Sequence, residues 1–372
     1  MSILPKSAVL LSEPLGGGSL PKSLLAADPV STANIYCFGR LDEVIQAVLH
    51  PVWLDFRKRH ADFGCRIWLV RYGRGGEHLK VRLHAPESVR SLFEELLGRS
   101  AQTYFAGLGA PVDRLSRAKW RSAPPIDEED LAPEDHPDRT LLWTTYHRSP
   151  VCLGDGIFLE DDLYIANMTV ALACACETML STLDAASGVG LTAPVRRSAM
   201  MSCLLAGTGG LGLKENEQTA YLAYHRDWLL RSASLQSRER PVGLLNRLDQ
   251  QIDESGACLE PLRAEALQHW LGEHVQCTRS ELPLMALRQS VTDLVCHVRL
   301  FHGHHQMDPF SRDPVFSAGF KVLHGAANQF GLDLLNEALI YQLVLRATAA
   351  DDHPALSNVE LMPPPAEGGT VR

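Results

Sequence analysis

The hydrophobic period of the chain changes once, and that change limits the folds open to it. Up to about residue 150 the apolar residues come in short runs at strand spacing; from about 159 to 350 they recur at helical spacing in long Ala/Leu-rich segments. Two strand runs are adjacent. CRIWLVRYG (65–73) is dense in β-branched and aromatic residues, and HLKVRLHA (78–85) alternates by two. Arg74, Gly75, Gly76 and Glu77 between them are turn chemistry, so the pair predicts a hairpin. A lone hairpin is only marginally stable, which places this one at the centre of a sheet. ANIYCFGR (33–40) and TLLWTTYH (140–147) supply further strands. A helix is expected over 41–60, restarted at Pro51, and another opens at Pro86.

In the later half, breaks at the Gly207–Gly212 run, Pro241, Ser255-Gly256, Pro283 and Pro309 divide the pattern into six or seven helices. The predicted class is therefore α+β: a small antiparallel mixed sheet with helices in the N-terminal half, and an extended helical C-terminal half. Residues 1–30 read as an irregular arm and 351–372 as a disordered tail. Between them, 31–350 read as one compact domain, strand-rich over 31–150 and helical over 151–350. The charged, proline-rich segment 111–139 reads as a loop.

Composition narrows the function. A formal charge of −9 opposes non-specific affinity for nucleic acid, which needs a basic surface, so no nucleic-acid partner is expected. The longest apolar stretch, 165–176, is short for a membrane span and no secretory segment is evident, so no membrane partner is expected. Nine cysteines without framework spacing read as buried thiols in a reducing compartment, and the protein is expected in the cytoplasm. His302, His304 and His305 lack the pattern of a zinc site, and the Gly207–Gly212 run reads as a helix connector rather than a phosphate loop.

Three groups of residues carry possible chemistry. On the strand 78–85, His78, Lys80 and Arg82 share one face while Leu79, Val81 and Leu83 form a core stripe on the other. The cationic row is either a solvated sheet face or a platform for carbonyl or carboxylate oxygens, with Arg71 and Tyr72 adding to it through the hairpin. In LHGAANQFG (323–331), His324 and Asn328 lie four apart on one helical face, and Glu337 follows on the next helix, which makes His324 a candidate acid or base. Tyr146 and Arg148 alternate at a strand end, where ligands often dock.

These motifs resemble the C-terminal elimination domain of lantibiotic dehydratases and the stand-alone thiopeptide-type bacteriocin biosynthesis proteins. In that family a strand ending Arg-Tyr is followed by a Gly-containing turn and His-Leu-Arg-Leu-Arg. Arg71-Tyr72, His78-Leu79 and Arg82 match here, with Lys80 replacing the first Arg. The family's late Leu-His-Met-x-x-Asn-Arg motif is matched by Leu323-His324-Gly325 and Asn328, with Gln329 in place of Arg. The Tyr-x-Pro-Glu and Gly-Gly landmarks of elimination domains are replaced by Tyr146 to Pro150 and Leu153 to Gly156. In length and helical half the chain is more similar to the thiopeptide pyridine synthase branch.

The resemblance implies a formal [4+2] aza-cycloaddition, in which two dehydroalanines of a modified precursor peptide close a six-membered nitrogen ring and water and the leader peptide leave. It implies His324, Tyr146 and Arg82 as catalytic, and Arg71, His78, Lys80, Arg148, Asn328 and Glu337 as substrate-binding. No metal or organic cofactor is called for. The partners implied are the leader-bearing precursor and other enzymes maturing the same peptide. Two alternatives stay open: glutamate elimination from glutamylated Ser/Thr to form dehydroalanine, and a non-catalytic scaffold that binds the precursor.

Overall fold

The computed structural model describes residues 30–60, 64–72, 77–111, 136–146, 162–186, 190–271, 282–301 and 314–348. The expected arm, tail and most of the 111–139 loop lie outside them. Strand β1 (Val30–Tyr36) leads into α1 (Leu41–Val44), which runs through a π-helical turn at Ile45–Leu49 into α2 (His50–Arg59). Pro51 lacks the amide hydrogen a regular ladder needs, and the ladder changes spacing just before it. Then come β2 (Arg66–Tyr72), β3 (His78–His84), α3 (Glu87–Gly107) and β4 (Thr140–Tyr146).

The strands form a four-stranded antiparallel sheet in the order β2-β3-β1-β4. The hairpin pairs as expected, with Tyr72 opposite His78 and Trp68 opposite Arg82. Its position differs from the expectation: β3 is internal, but among the described residues β2 is an edge. Near its end that edge is capped by a side chain. The Asn328 amide accepts the Arg71 N–H at 2.7 Å and donates to the Arg71 carbonyl at 3.1 Å, satisfying both backbone groups of Arg71.

One sheet face carries Ala33, Ile35, Ile67, Leu69, Leu79, Val81 and Leu83, all at most 1% exposed. It lies against α3, where Gly98 approaches Leu141 and Ser31 donates to Glu94. Phe93 of α3 continues the packing to Phe56 of α2, with ring centroids 5.2 Å apart and edge to face.

The helical half comprises α4 (Asp162–Ala185), α5 (Ala193–Gly210), α6 (Glu215–Ser237), α7 (Pro241–Glu254), α8 (Leu259–Leu271), α9 (Leu282–Phe301), α10 (Pro314–Phe330) and α11 (Leu334–Thr348). That is eight helices among the described residues, more than the proline and glycine breaks implied. Prolines sit in the first turn of α5, α7 and α9, where a missing N–H costs nothing, so some act as starters within the pattern rather than gaps. Helix α4 is, among those described, the one long and apolar enough to cross a membrane, and most of its apolar stretch is buried inside the protein. The apolar run 165–176 was therefore part of a longer core helix. Packing of α4 on β2 and α9, and of α6 on α11, joins one continuous apolar core from Val30 to Leu345.

The glycine run is not a connector. Gly207 and Gly210 lie inside α5 and let neighbouring helices approach, and the turn comes only at Gly212, with φ +61°. A Cβ on Gly210 would sit 2.5 Å from the Arg288 carbonyl oxygen and 2.9 Å from the Val291 Cβ of α9. Because the first of these is backbone, relief requires moving a helix. Gly210→Ala is expected to lower stability by about 1–3 kcal/mol in chemical denaturation, whereas an unchanged midpoint would mean that α9 shifts freely.

Candidate active site around His324

Helix α10 presents Phe316, Phe320, His324 and Asn328 at four-residue spacing along one side. Asn328 meets β2. His324 meets the other helices. Its Nδ1 lies 2.8 Å from Glu337 Oε2 in the first turn of α11, and since a carboxylate only accepts, Nδ1 carries the proton. That leaves Nε2 for a substrate. The His324 side chain is 38% exposed, while Glu337 is 1% exposed. Burial alone would lower the imidazole pKa, but the Glu337 charge and hydrogen bond outweigh it and raise the group above its ordinary value. The N-terminus of α11 also favours negative charge at Glu337.

The ring of His324 is held by stacking. Phe320 lies nearly parallel to it, with centroids 5.2 Å apart at 11°, and His225 of α6 stacks on Phe320 at 4.3 Å and 6°. Trp228, one turn beyond His225, stands edge to face against both Phe320 and His324. His225 is 2% exposed, and burial pushes its pKa down to about 3, so it packs as a neutral ring. The arrangement offers one cationic acid, oriented by a buried carboxylate and flanked by flat apolar rings. It suits proton donation to an oxygen near neutral pH.

The row on β3 is placed as expected and is enclosed. His78, Lys80 and Arg82 share a face with Tyr36 and Tyr72, yet they are only 2–3% exposed. His78 lies between Tyr36, at 4.4 Å, and Tyr72, at 5.4 Å, and Lys80 Nζ sits 4.6 Å over the Tyr72 ring. A solvated face does not fit this enclosure.

Arg71 does not join the row. It pairs with Leu79, and alternation puts it on the opposite face. Its guanidinium donates to Asp42 Oδ1 at 2.6 Å and to the Gln329 carbonyl at 3.1 Å. Arg196 takes the other Asp42 oxygen and donates to the Phe330 carbonyl at 2.6 Å. The two arginines and Asp42 thus tie α1, β2 and α5 to the C-terminal carbonyls of α10, where cations are favoured. This is a structural joint.

Tyr146 ends β4, its backbone opposite Val30. Arg148 lies outside the described residues, as do His302, His304 and His305. No group of three potential metal ligands occurs among the described residues. Sequence reasoning missed Phe320, His225, Trp228, Asp42 and Arg196. The signal for His225 and Trp228 was present, since Tyr221, His225 and Trp228 follow the i, i+4, i+7 rule on α6.

Residues 31–348 match the sequence family described as lantibiotic biosynthesis dehydratase C-term. No curated protein sequence matches the chain. Among solved structures, a pyridine synthase, TbtD, from thiomuracin biosynthesis superposes with a TM-score of 0.57 at 14% identity, covering 87% of this chain and 98% of that one. TsrL superposes at 0.53, also at 14% identity, covering 86% and 93%. Likeness at that identity establishes a shared fold.

Proposed function

The chain belongs to the lantibiotic biosynthesis dehydratase C-terminal family, and we propose that it is a peptide-maturation enzyme that closes a six-membered nitrogen ring from two dehydroalanines. The observation that carries this reading is the His324–Glu337 pair, a half-exposed acid backed by a buried carboxylate. One solved relative by fold being a pyridine synthase supports the same choice.

In the reaction proposed, a backbone amide passes to its imidic form as its N–H proton moves to oxygen. The resulting azadiene and the second dehydroalanine form two carbon–carbon bonds. The ring hydroxyl then takes a proton and leaves as water with loss of a proton from the neighbouring ring carbon, and the leader nitrogen takes a proton and leaves as its amide as a second ring carbon gives one up. Holding the two alkenes in contact is the largest demand, and it is met by positioning rather than by chemistry. Protonated His324 gives its Nε2 proton to the departing hydroxyl and recovers it from the ring carbon that becomes aromatic. Glu337 holds the imidazole so that Nε2 points outward, and the faces of Phe320 and Trp228 exclude water. The work takes place in the cytoplasm, on a leader-bearing precursor, with no organic cofactor.

Incubation with a precursor containing dehydroalanine, followed by intact mass, tests this directly. Ring closure is expected to release a leader fragment and lower the core mass by that fragment and one water. Conversion of a glutamylated precursor with loss of glutamate would establish elimination instead. An unchanged mass with a stable complex would leave a scaffold.

A further inference from the structure

Behind the His324–Glu337 pair the protein buries hydroxyl groups that its core does not require. Tyr341 stands four residues after Glu337 on α11, and so shares its face; Tyr221 comes from α6, and both are fully buried. Tyr221 is wedged between His225, with centroids 4.5 Å apart, and Phe316 at 5.2 Å, and its hydroxyl lies close against Gly319 of α10. Glu337 Oε2 is taken by His324, Oε1 has no hydrogen-bond partner within range among the described residues, and the Tyr221 and Tyr341 hydroxyls bear on each other. Leaving a buried acceptor unmade costs about 1–3 kcal/mol, so the orphaned carboxylate oxygen calls for a donor, and the buried phenol one turn along the same helix face can supply it.

We infer that Tyr341, backed by Tyr221, is a positioning residue for the acid: its hydroxyl donates to Glu337 Oε1 and thereby sets how firmly the carboxylate holds the His324 proton. Two acceptors and two donors meet in this cluster with the right roles. A carboxylate oxygen can only accept, Tyr341 donates to it, and Tyr221 donates to the Tyr341 oxygen. Burial raises both phenols well above their ordinary range, so both keep their hydrogens at any working pH. The charge of Glu337 acts on each of them, consistent with one coupled unit. The charge that acts on His324 is Glu337 from α11, and His225 from α6 stays neutral. The stack on α10 itself contributes only the uncharged Phe320.

This inference rests on His324 being the acid of the proposed reaction, but its test does not need that reaction. In the full chain, the imidazole of His324 is followed by NMR through a pH titration in wild type, Tyr341→Phe and Tyr221→Phe. Each change removes a single oxygen, and melting temperature reports the fold. With its donor gone, the buried Glu337 competes for the shared proton, and the pair shifts toward its neutral form. The His324 midpoint is expected to fall by about half a pH unit or more in Tyr341→Phe and by less in Tyr221→Phe. Where ring closure is measured, its pH profile should move with the midpoint while KM stays. A midpoint unchanged in both folded variants would overturn the inference, even if activity fell. A shifted midpoint in a protein that closes no ring would keep the positioning role and discard the reaction.

Discussion

His324→Gln is expected to lower kcat by about 10²–10⁴-fold, the range associated with loss of a positioned acid. Glutamine can still donate an amide hydrogen to Glu337, so the buried carboxylate keeps a partner and the fold should hold. His324→Phe keeps the flat ring against Phe320 and Trp228 but offers nothing to Glu337, so it should show the same rate loss with an added loss of stability. Precursor affinity and single-turnover rate, measured on the same variants, separate the roles. If affinity collapses while the rate at saturation survives, His324 binds the substrate and does not protonate it. The pH profile carries the same signature. Because Glu337 raises the imidazole above 6.5, the active, protonated form should persist to neutral pH and decline only as pH rises through the raised value.

Asp42→Ala should produce the largest loss of stability. It removes the shared acceptor of Arg71 and Arg196, whose side chains are 15% and 12% exposed, and leaves two guanidinium groups facing each other. Charge-assisted hydrogen bonds contribute about 1.5–3 kcal/mol each when buried. Asp42 is 41% exposed, so screening reduces the sum, and about 3 kcal/mol is expected overall. Burial would raise the Asp42 carboxyl, but the two arginines hold it below its ordinary 3.8. The sign follows from that depression. The joint contributes its stability above the unfolded value and loses it as pH falls through the folded one, so acid should destabilise wild type below about pH 4. Asp42→Ala should lack that acid limb while being weaker at neutral pH. A variant as stable as wild type in denaturant at pH 7 would show that the helix carbonyls alone satisfy the arginines.

The enclosed row on β3 changes what substitution there would report. Arg82 is 3% exposed in a sheet face lined by Thr32, Asn34 and Trp68, all buried. Removing it disturbs a packed polar layer, so loss of activity in an Arg82 variant cannot by itself identify a substrate contact.

Local order was readable in the chain because it is written in periods. Alternation in 78–85 and the four-residue turn before it determined the hairpin, and with it the common face of His78, Lys80 and Arg82. Helical spacing determined that His324 and Asn328 share a side, and the short step to the next helix put Glu337 within reach of the imidazole. What the tertiary structure alone decided are relations between elements remote in sequence. Burial of the cationic row depends on what packs over a sheet face, and alternation is silent on that. The edge position of β2 depends on strand order, which a hairpin does not determine, and on Asn328 reaching it from 257 residues away. Asp42 joined to Arg71 and Arg196 has no local signature, since a carboxylate in a first helical turn looks the same whether it faces solvent or two arginines. Separation in sequence carries no information about such pairs; only the packed core brings them within the few ångströms over which charge and hydrogen bonding act.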